Sequence, residues 1–162
     1  TNRSRYTQYI NTPFENHMGN EHQQLLLDNQ LCFLIYSTNL ALNQVYRQLL
    51  APLGLTYPQY LVMLVLWEKD QLSVSEIGER LFLESSTLTP LLKKLEISQL
   101  ITRKRSVKDE RQVIISLTQQ GQDLELKAVD IPNQISQAAS CTPSTLSNLK
   151  DQISALRDNL LK

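Results

Sequence analysis

The stretch that decides the fold is residues 73–117, which read SVSEIGERLFLESSTLTPLLKKLEISQLITRKRSVKDERQVIISL. It opens with Ser73, and Glu76 follows three positions later, which is the capping-box spacing of a helix N-terminus. The sequence therefore predicts a short helix that runs to about Leu81. After a three-residue turn, Ser85 is expected to cap a second short helix. Two short helices joined by so tight a turn are typical of a helix-turn-helix.

A hairpin is predicted directly after the second helix, which itself runs from Ser86 to about Ser98. Residues 100–105 and 112–117 favour strands, and the polar segment between them would project as the hairpin tip. Pro90 lies near the first helical turn and is expected to distort the helix locally, because one backbone hydrogen bond is lost there. A helix-turn-helix followed by a hairpin is the pattern of a winged helix, whose second helix enters the major groove of DNA.

The flanking segments are predicted to be helical. Apolar residues recur at helical spacing over 25–50, with Asp28 as the expected N-cap. A helix over 56–67 is apolar around its whole circumference and should therefore be central to the core. Residues 118–130 and 143–160 favour two more helices after the hairpin. The predicted fold class is mainly α (α+β), a winged helix-turn-helix with helices on both sides.

Composition narrows the function classes. The chain has 162 residues, 41% of them hydrophobic and 20% charged, which is typical of one folded domain or of a domain with arms. The longest apolar run, Leu61–Trp67, is far shorter than the roughly 20 residues that cross a bilayer, and no secretory signal is recognisable, so a cytoplasmic protein without membrane contact is expected. Two cysteines, two histidines and the absence of HExxH, CxxC, GxGxxG and P-loop motifs predict no metal, no cofactor and no enzymatic activity.

The net charge of zero hides a local excess of positive charge. Residues 85–111 hold seven lysines and arginines against three acidic residues, a net charge of +4. Such a block is either a solvated surface or a nucleic-acid-binding face, and its place on a recognition helix and wing favours double-stranded DNA. The candidate DNA-binding residues are Ser85, Ser86, Thr87 and Thr89 at the start of the recognition helix, Lys93 and Lys94 further along it, and Lys108, Asp109 and Arg111 on the wing.

These side chains have different expected roles. The hydroxyl groups can donate to phosphates or touch base edges, and the helix N-terminus adds its own attraction for phosphate. Arg111 is expected to reach a minor groove from the wing. Asp109, two positions earlier, is expected to hold the Arg111 guanidinium in place. Alternatively, the two form an ordinary hairpin pair without a role in binding.

Residues 25–130 resemble the MarR family of winged-helix repressors, through Asp109-Glu-Arg111 at the wing and Leu117-Thr-Gln-Gln-Gly121 after it. Three further segments are similar to the organic-hydroperoxide-sensing (OhrR-type) branch of that family: LDNQLCFLIYS (27–37), GLTYPQY (54–60) and LTPLL (88–92). The resemblance implies a homodimer that binds a palindromic operator in double-stranded DNA. It also implies release of the operator when a cysteine near the N-terminus is oxidised by an organic hydroperoxide.

A division of the chain follows from this resemblance. Residues 1–20, which are polar and show no periodicity, are expected to be a flexible arm. Residues 21–55 would form an N-terminal helical segment for dimerisation and sensing. Residues 56–118 would form the winged helix-turn-helix domain, and residues 119–162 the C-terminal dimerisation helices.

Cys32 is the sensing cysteine that the resemblance implies. If Asp28 caps the first helix, Cys32 lies in its first turn or just beyond. The partial positive charge there favours the thiolate, the species that attacks a peroxide. Tyr36, one turn later, can reach the neighbourhood of the sulfur. The alternative is that Cys32 is an inert cysteine on an apolar helix.

Tyr46 and Tyr57 are the remaining candidate partners of the sensing cysteine. Tyr46 lies 14 residues after Cys32, about 21 Å along a helix at a rise of 1.5 Å per residue, so one helix does not bring the two together. The resemblance places the equivalents of Tyr46 and Tyr57 against the sensing cysteine of the other subunit. Alternatively, these tyrosines are simple packing residues.

Cys141 is the candidate resolving thiol. Two-cysteine members of the branch carry a second cysteine near the start of the last helix, which forms an intersubunit disulfide. A gapless count from Cys32 puts that position nearer Gln137, so a one-cysteine mechanism, in which a small cellular thiol caps Cys32, stays open. Two other functions also stay open: a repressor released by a small aromatic ligand without cysteine chemistry, and a thiol peroxidase that uses both cysteines. The peroxidase is disfavoured because such an enzyme needs a βαβ pattern that the sequence lacks.

Overall fold

A computed structural model describes residues 23–107, 109 and 111–162. The chain divides into two compact units, Thr1–Leu40 and Ala41–Lys162. The predicted arm at residues 1–20 and the candidate Lys108 lie outside the described residues. A short 3-10 turn, Leu27–Asn29, precedes helix α1, which spans Leu31–Leu50.

The second unit contains the predicted winged helix-turn-helix. Its further elements are α2 (Tyr57–Glu68), β1 (Leu72–Ser73), α3 (Val74–Leu81), α4 (Ser85–Ile97), β2 (Ile101–Arg105), β3 (Val113–Leu117), α5 (Gln119–Ala128), α6 (Ile131–Ala138) and α7 (Pro143–Leu160). The strands form one antiparallel sheet in the order β1-β3-β2, with Ile115 of β3 opposite both Leu72 and Arg103. The predicted fold class is confirmed. In the described part of the chain, no single helix combines the length and the hydropathy needed to cross a bilayer.

Helix α2 is the centre of the core, as its unbroken apolar sequence predicts. Val62, Met63 and Leu66 are almost completely inaccessible to solvent. Against them pack the inner faces of the two short helices, of which Ile77 of α3 and Leu88 of α4 are fully buried. Burial of one such side chain contributes about 1.5–3 kcal/mol, so this packing fixes the recognition helix on the rest of the unit.

Local capping signals set the helix starts. The Ser73 hydroxyl accepts a hydrogen bond from the Glu76 amide at 3.2 Å, and the Glu76 carboxylate accepts one from the Ser73 amide at 2.7 Å. The hydrogen bond from the Ser73 amide lowers the pKa of the Glu76 carboxyl, and a hydrogen bond from the Ser73 side chain to that carboxyl adds to the effect. Thr118 caps α5 by accepting a hydrogen bond from the Gly121 amide at 3.0 Å. The capping box that the sequence predicts at Ser73 is confirmed.

Two predicted caps are wrong. Asp28 lies inside the 3-10 turn, and the extended Gln30 separates that turn from α1, so Asp28 does not occupy the cap position. Glu84, not Ser85, is the N-cap of α4, because Glu84 has extended backbone angles and Ser85 is already helical. Pro90 lies inside α4, which is continuous from Ser85 to Ile97, and the local distortion expected at Pro90 stays a prediction.

Two elements were not predicted from the sequence. Strand β1 has only two residues and is defined by its pairing with β3. Helix α6 begins at Ile131 with Pro132 in its first turn. A proline there is compatible with a helix, since the amide that it lacks has no intrahelical partner at that position.

We predict that Gly121→Ala lowers the free energy of unfolding by about 1–3 kcal/mol, because overpacking in a rigid site costs this much. A Cβ atom at Gly121 would collide with the main-chain carbonyl oxygen of Leu100, which is backbone and has little freedom to move. Urea unfolding followed by circular dichroism measures the effect. The matched control is Gln122→Ala at the exposed neighbouring position, which should change stability little. Equal stability of the two variants would show that the Leu100 segment yields to the extra methyl group.

Candidate functional site

The start of helix α4 presents a row of hydroxyl groups to solvent. Ser85, Ser86, Thr87 and Thr89 are all exposed, as are Lys93 and Lys94 further along the helix. The opposite face carries Leu88, Leu92 and Leu95, which are fully buried. The Thr89 hydroxyl donates to the Ser85 carbonyl oxygen at 2.7 Å, so it faces a ligand only as an acceptor. The polar face of α4 therefore has the composition of a surface that contacts phosphates and base edges.

The wing has an exposed arginine at its tip, but its aspartate acts differently from the prediction. Asp109 accepts a hydrogen bond from the backbone amide of Arg111 at 3.0 Å, not from the guanidinium. The Asp109 carbonyl also accepts from the Gln112 amide at 2.9 Å, and its own amide donates to the Ser106 hydroxyl at 3.3 Å. Asp109 therefore shapes the turn. Its short side chain reaches the backbone amide two residues on more readily than it reaches the guanidinium at the end of the Arg111 side chain. The Arg111 guanidinium is left to contact a ligand.

Cys32 lies in the first turn of α1, as predicted, although its helix is not capped by Asp28. It is the second residue of the helix and is exposed to solvent. No acidic side chain lies in that turn, so nothing there opposes the positive end of the helix dipole. Tyr36 is also exposed, at 59% of its surface, as is Leu34 at 62%. The first unit thus offers an accessible thiol within an apolar surface.

The second unit brings Tyr46 and Tyr57 together. Their ring centroids are 4.2 Å apart, and Tyr60 lies 6.1 Å from Tyr46. Burial raises the pKa of Tyr46 to about 12, and the neighbouring phenols of Tyr57 and Tyr60 add to this shift. Burial also raises the pKa of Tyr57 and of Tyr60. Tyr60 was not predicted as a member of this group, although its spacing of three residues from Tyr57 on a helix could have indicated it.

Cys141 lies in the loop between α6 and α7. The thiol is partly exposed and donates a hydrogen bond to the Ala139 carbonyl oxygen at 3.3 Å. Ser140, immediately before it, has a positive φ of 51°, so the chain reverses direction at this cysteine. Cys141 is therefore an accessible thiol on a turn, two residues before the last helix begins.

A small cavity of about 280 Å³ lies between α2 and the helices that follow the wing. Tyr60, Leu64 and Trp67 form its apolar wall, and Glu68 and Glu125 lie at its edge. The Trp67 indole donates a hydrogen bond to the Gly121 carbonyl oxygen at 2.9 Å, which fixes the ring. The volume of the cavity is near the lower limit for a small-molecule site. No local sequence pattern indicates this cavity, because its walls come from elements about 60 residues apart.

A helix-turn-helix with a hydroxyl-rich second helix, followed by a hairpin with an exposed arginine, defines a winged-helix DNA-binding regulator. Comparison with known proteins agrees with this class. The SarA/Rot family of transcriptional regulators matches residues 44–127. The chain belongs to this family of MarR-like winged-helix regulators.

Two curated transcriptional regulators are similar to this chain, and one of them is named for organic hydroperoxide resistance. The chain is 47% identical over 143 residues to the organic hydroperoxide resistance transcriptional regulator of Bacillus subtilis, covering 88% of this chain and 97% of that protein. It is 50% identical over 134 residues to the regulator TtmR of Methylorubrum extorquens, covering 83% and 69%. The sequence resemblance to the organic-hydroperoxide branch is thereby confirmed.

Solved structures show the same architecture. Overoxidised AbfR bound to DNA is 38% identical, with a TM-score of 0.71 and coverage of 88% of this chain and 99% of that one. Reduced AbfR bound to DNA is 36% identical, with a TM-score of 0.68 and the same coverage. The MepR–DNA complex of Staphylococcus aureus, with a TM-score of 0.72 at 22% identity over 80% and 98% of the two chains, shows the shared fold alone.

We predict that, within the cluster of Tyr46, Tyr57 and Tyr60, Tyr46 ionises last as the pH rises, at a pH of about 12. Because its pKa is raised above the ordinary value of 10.0, this group stabilises the fold fully below pH 10 and less as the pH rises through 12. Ultraviolet absorbance of phenolate in wild type and Tyr46→Phe measures the ionisation of the tyrosines. Circular dichroism at each pH checks that the protein is still folded. The variant should lack the final step. Loss of an earlier step instead would contradict the assignment.

Proposed function

We propose that the protein is a peroxide-sensing transcriptional repressor, a homodimer that binds a palindromic operator when reduced and leaves it when Cys32 is oxidised by an organic hydroperoxide. The observation that carries the proposal is the exposed Cys32 thiol in the first turn of α1. The protein is a close relative of a regulator named for organic hydroperoxide resistance. AbfR, a further relative, has been captured on DNA in a reduced and in an overoxidised form.

The DNA face consists of α4 and the wing. Its hydroxyl groups at Ser85, Ser86 and Thr87 are exposed and would contact base edges and phosphates in the major groove, while Lys93 and Lys94 contact the backbone. Arg111 would enter the adjacent minor groove, whose negative potential attracts arginine. In a two-fold symmetric dimer the two recognition helices read half-sites about one helical turn apart.

The exposed apolar side chains of the helices outside the winged helix support the dimer. On α1, Leu31, Leu34 and Leu40 are each more than half exposed, and on α7 Ile153 is 54% exposed. Surfaces of this kind on several helices mark contact with another protein. We therefore assign residues 21–55 and 119–162 to dimerisation and residues 56–118 to DNA binding.

The chemistry begins at the Cys32 sulfur. The thiolate attacks the distal oxygen of the hydroperoxide, the O–O bond breaks, and the alkoxide takes up a proton to leave as an alcohol, so that Cys32 becomes a sulfenic acid. Tyr46 and Tyr57 of the other subunit would donate hydrogen bonds to the sulfur. The raised pKa of Tyr46 suits this role, because its phenol keeps its proton throughout the physiological range. Tyr36, one turn from Cys32, would add a further hydroxyl.

Cys141 is the proposed resolving thiol. Its sulfur would attack the Cys32 sulfenic acid of the partner, form a disulfide and release water. The partly exposed position on a turn favours this role, since a loop cysteine can approach a partner with little disturbance of the helices. The rival mechanism, in which a small cellular thiol caps Cys32, uses the same first step.

A second candidate function is a repressor released by a small aromatic ligand. The cavity lined by Tyr60, Leu64 and Trp67 favours it, because aromatic walls suit an aromatic guest. In this case peroxide would have no effect on DNA binding. The cysteine experiment below therefore separates the two functions.

For the redox switch, we expect that an organic hydroperoxide releases wild-type protein from DNA taken from upstream of its own gene. Cys32→Ser should bind the same DNA with similar affinity and remain bound after treatment, because it lacks the nucleophile. Fluorescence anisotropy measures both. Non-reducing gels should show a disulfide-linked dimer in the treated wild type that is missing in Cys141→Ser.

The controls for this experiment use the same proteins. A thiol reductant should restore DNA binding of the oxidised wild type, because a disulfide is reversible and a sulfonic acid is not. Release of Cys32→Ser by peroxide would exclude Cys32 as the sensor. Tight binding that ignores peroxide in both proteins would favour the aromatic-ligand function. A dimer band that persists in Cys141→Ser would exclude Cys141 as the resolving thiol.

For the wing, we expect Arg111→Ala to weaken DNA binding by about tenfold or more, since loss of one arginine contact costs about 1–3 kcal/mol. The rate of Cys32 oxidation should stay the same, because the wing does not take part in the thiol chemistry. Lys127→Ala, which removes an exposed positive charge from α5, is the matched control. Equal affinity of Arg111→Ala and wild type would remove the wing from the DNA interface.

A further inference from the structure

A cleft of about 290 Å³ opens between the recognition helix and the wing, where Arg103, Arg111 and Val113 line it on the wing side. Its polar lining consists of two guanidinium groups, three serine hydroxyls, one threonine hydroxyl and one amide: Arg103, Arg111, Ser73, Ser75, Ser85, Thr89 and Gln112. None of the described lining residues is acidic. A concave surface with this composition attracts an anion with several oxygen acceptors.

Arg103 is incompletely satisfied in this cleft. It lies on β2 opposite Ile115, and its side chain is 26% exposed. Its Nε atom is buried and has no hydrogen-bond partner among the described residues. Glu96 lies 3.7 Å from the Arg103 Nη1 atom, too far for a hydrogen bond. A buried N–H group without an acceptor is costly, and Glu96 does not hydrogen-bond the rest of the guanidinium, so the exposed part of Arg103 is open to an oxygen atom of a ligand.

The exposed hydroxyl groups of Ser75 and Ser85 add donors to those of the arginines. The Ser73 hydroxyl accepts a hydrogen bond from the Glu76 amide and also bonds the Glu76 carboxyl. The Thr89 hydroxyl donates to the Ser85 carbonyl oxygen, so neither Ser73 nor Thr89 is a free donor.

Among the described carboxylates, Glu76 and Glu84 are each next to a lining serine in the chain, and Asp109 lies two residues before Arg111. Glu96 is the ion-pair neighbour of Arg103. None of these carboxylates belongs to the lining, so they do not occupy the position that an anion would take.

The position of the cleft indicates which molecule supplies the anion. A winged helix reads the major groove with its recognition helix and an adjacent minor groove with its wing. The sugar-phosphate backbone that separates these two grooves must pass between the two elements, and the cleft lies at that point. We propose that the cleft binds one phosphate of the DNA backbone and that Arg103 is its main ligand. This inference rests on the DNA-binding function proposed above.

The test compares Arg103→Gln with wild type on two duplexes: the DNA from upstream of the gene, and an unrelated sequence of the same length. A phosphate contact carries no sequence information, so affinity should fall by about tenfold on both duplexes. The slope of log K against log salt should decrease by about one unit in magnitude. Lys127→Gln removes a charge far along the chain, on α5, and should leave the affinity for both duplexes and the slope unchanged.

Two further variants separate a phosphate ligand from a structural residue. Glu96→Gln frees Arg103 from its ion-pair neighbour Glu96 and should leave DNA affinity equal or higher. If Arg103 served only to pair with Glu96, both variants would weaken binding alike, and the proposal would fail. Ser75→Asp keeps Arg103 and places a carboxylate at the cleft, so it should weaken binding to both duplexes even if Arg103→Gln does not fold.

Thermal unfolding in inorganic phosphate and in chloride of equal ionic strength identifies other ligands. Stabilisation by phosphate that is lost in Arg103→Gln, together with unchanged DNA affinity, would make the cleft a site for a free anion and overturn the backbone assignment. Loss of affinity on the upstream DNA alone would mean a base contact and would also overturn it. If wild type binds neither duplex, the DNA-binding function itself fails. If wild type binds and Arg103→Gln binds equally well, only the cleft assignment fails.

Discussion

The base of the wing hairpin is fixed to the core by a set of backbone contacts around Leu100. The positions of the recognition helix and the wing both depend on these contacts. The Leu100 carbonyl oxygen accepts the Thr118 amide at 3.0 Å, and Gly121 approaches the same carbonyl so closely that no side chain fits between them. The Trp67 indole holds the Gly121 carbonyl from the α2 side. The end of α4, the start of β2 and the start of α5 therefore meet at one rigid point, and the wing extends from it.

A second contact, made by Asp70, lies on the other side of the sheet. Asp70 Oδ1 accepts hydrogen bonds from the Gln71 amide at 2.8 Å and from the Leu117 amide at 2.9 Å. It thereby ties the loop before α3 to the end of β3. Since α3 packs on α4, the recognition helix is held from both of its ends. Its hydroxyl face can then keep a fixed distance from the wing, as contact with two successive grooves requires.

Much of the winged helix could be predicted because its signals are local. The capping box at Ser73, the leucine spacing of α4 and the polar hairpin tip all act over a few residues. Strand β1 escaped prediction for a non-local reason, because it exists only through pairing with β3. The Asp109 prediction failed for a local reason, since its short carboxylate reaches the Arg111 amide two residues on. The cleft around Arg103 escaped prediction since Ser75 and Gln112 are far apart in sequence and meet only in the folded unit.

The sensing half was predictable only through resemblance, for a physical reason. Within the described residues, no hydrogen bond to the exposed Cys32 thiol is found, so the described part of the single chain does not supply the donors that a reactive cysteine needs. In the proposed sensor the tyrosine cluster of the other subunit would be the complementary part, with a Tyr46 phenol whose pKa burial raises to about 12. A sensor divided in this way between two copies would be complete only in the dimer. Oxidation would then change the contact between subunits directly, and the spacing of the two recognition helices is the quantity that such a contact controls.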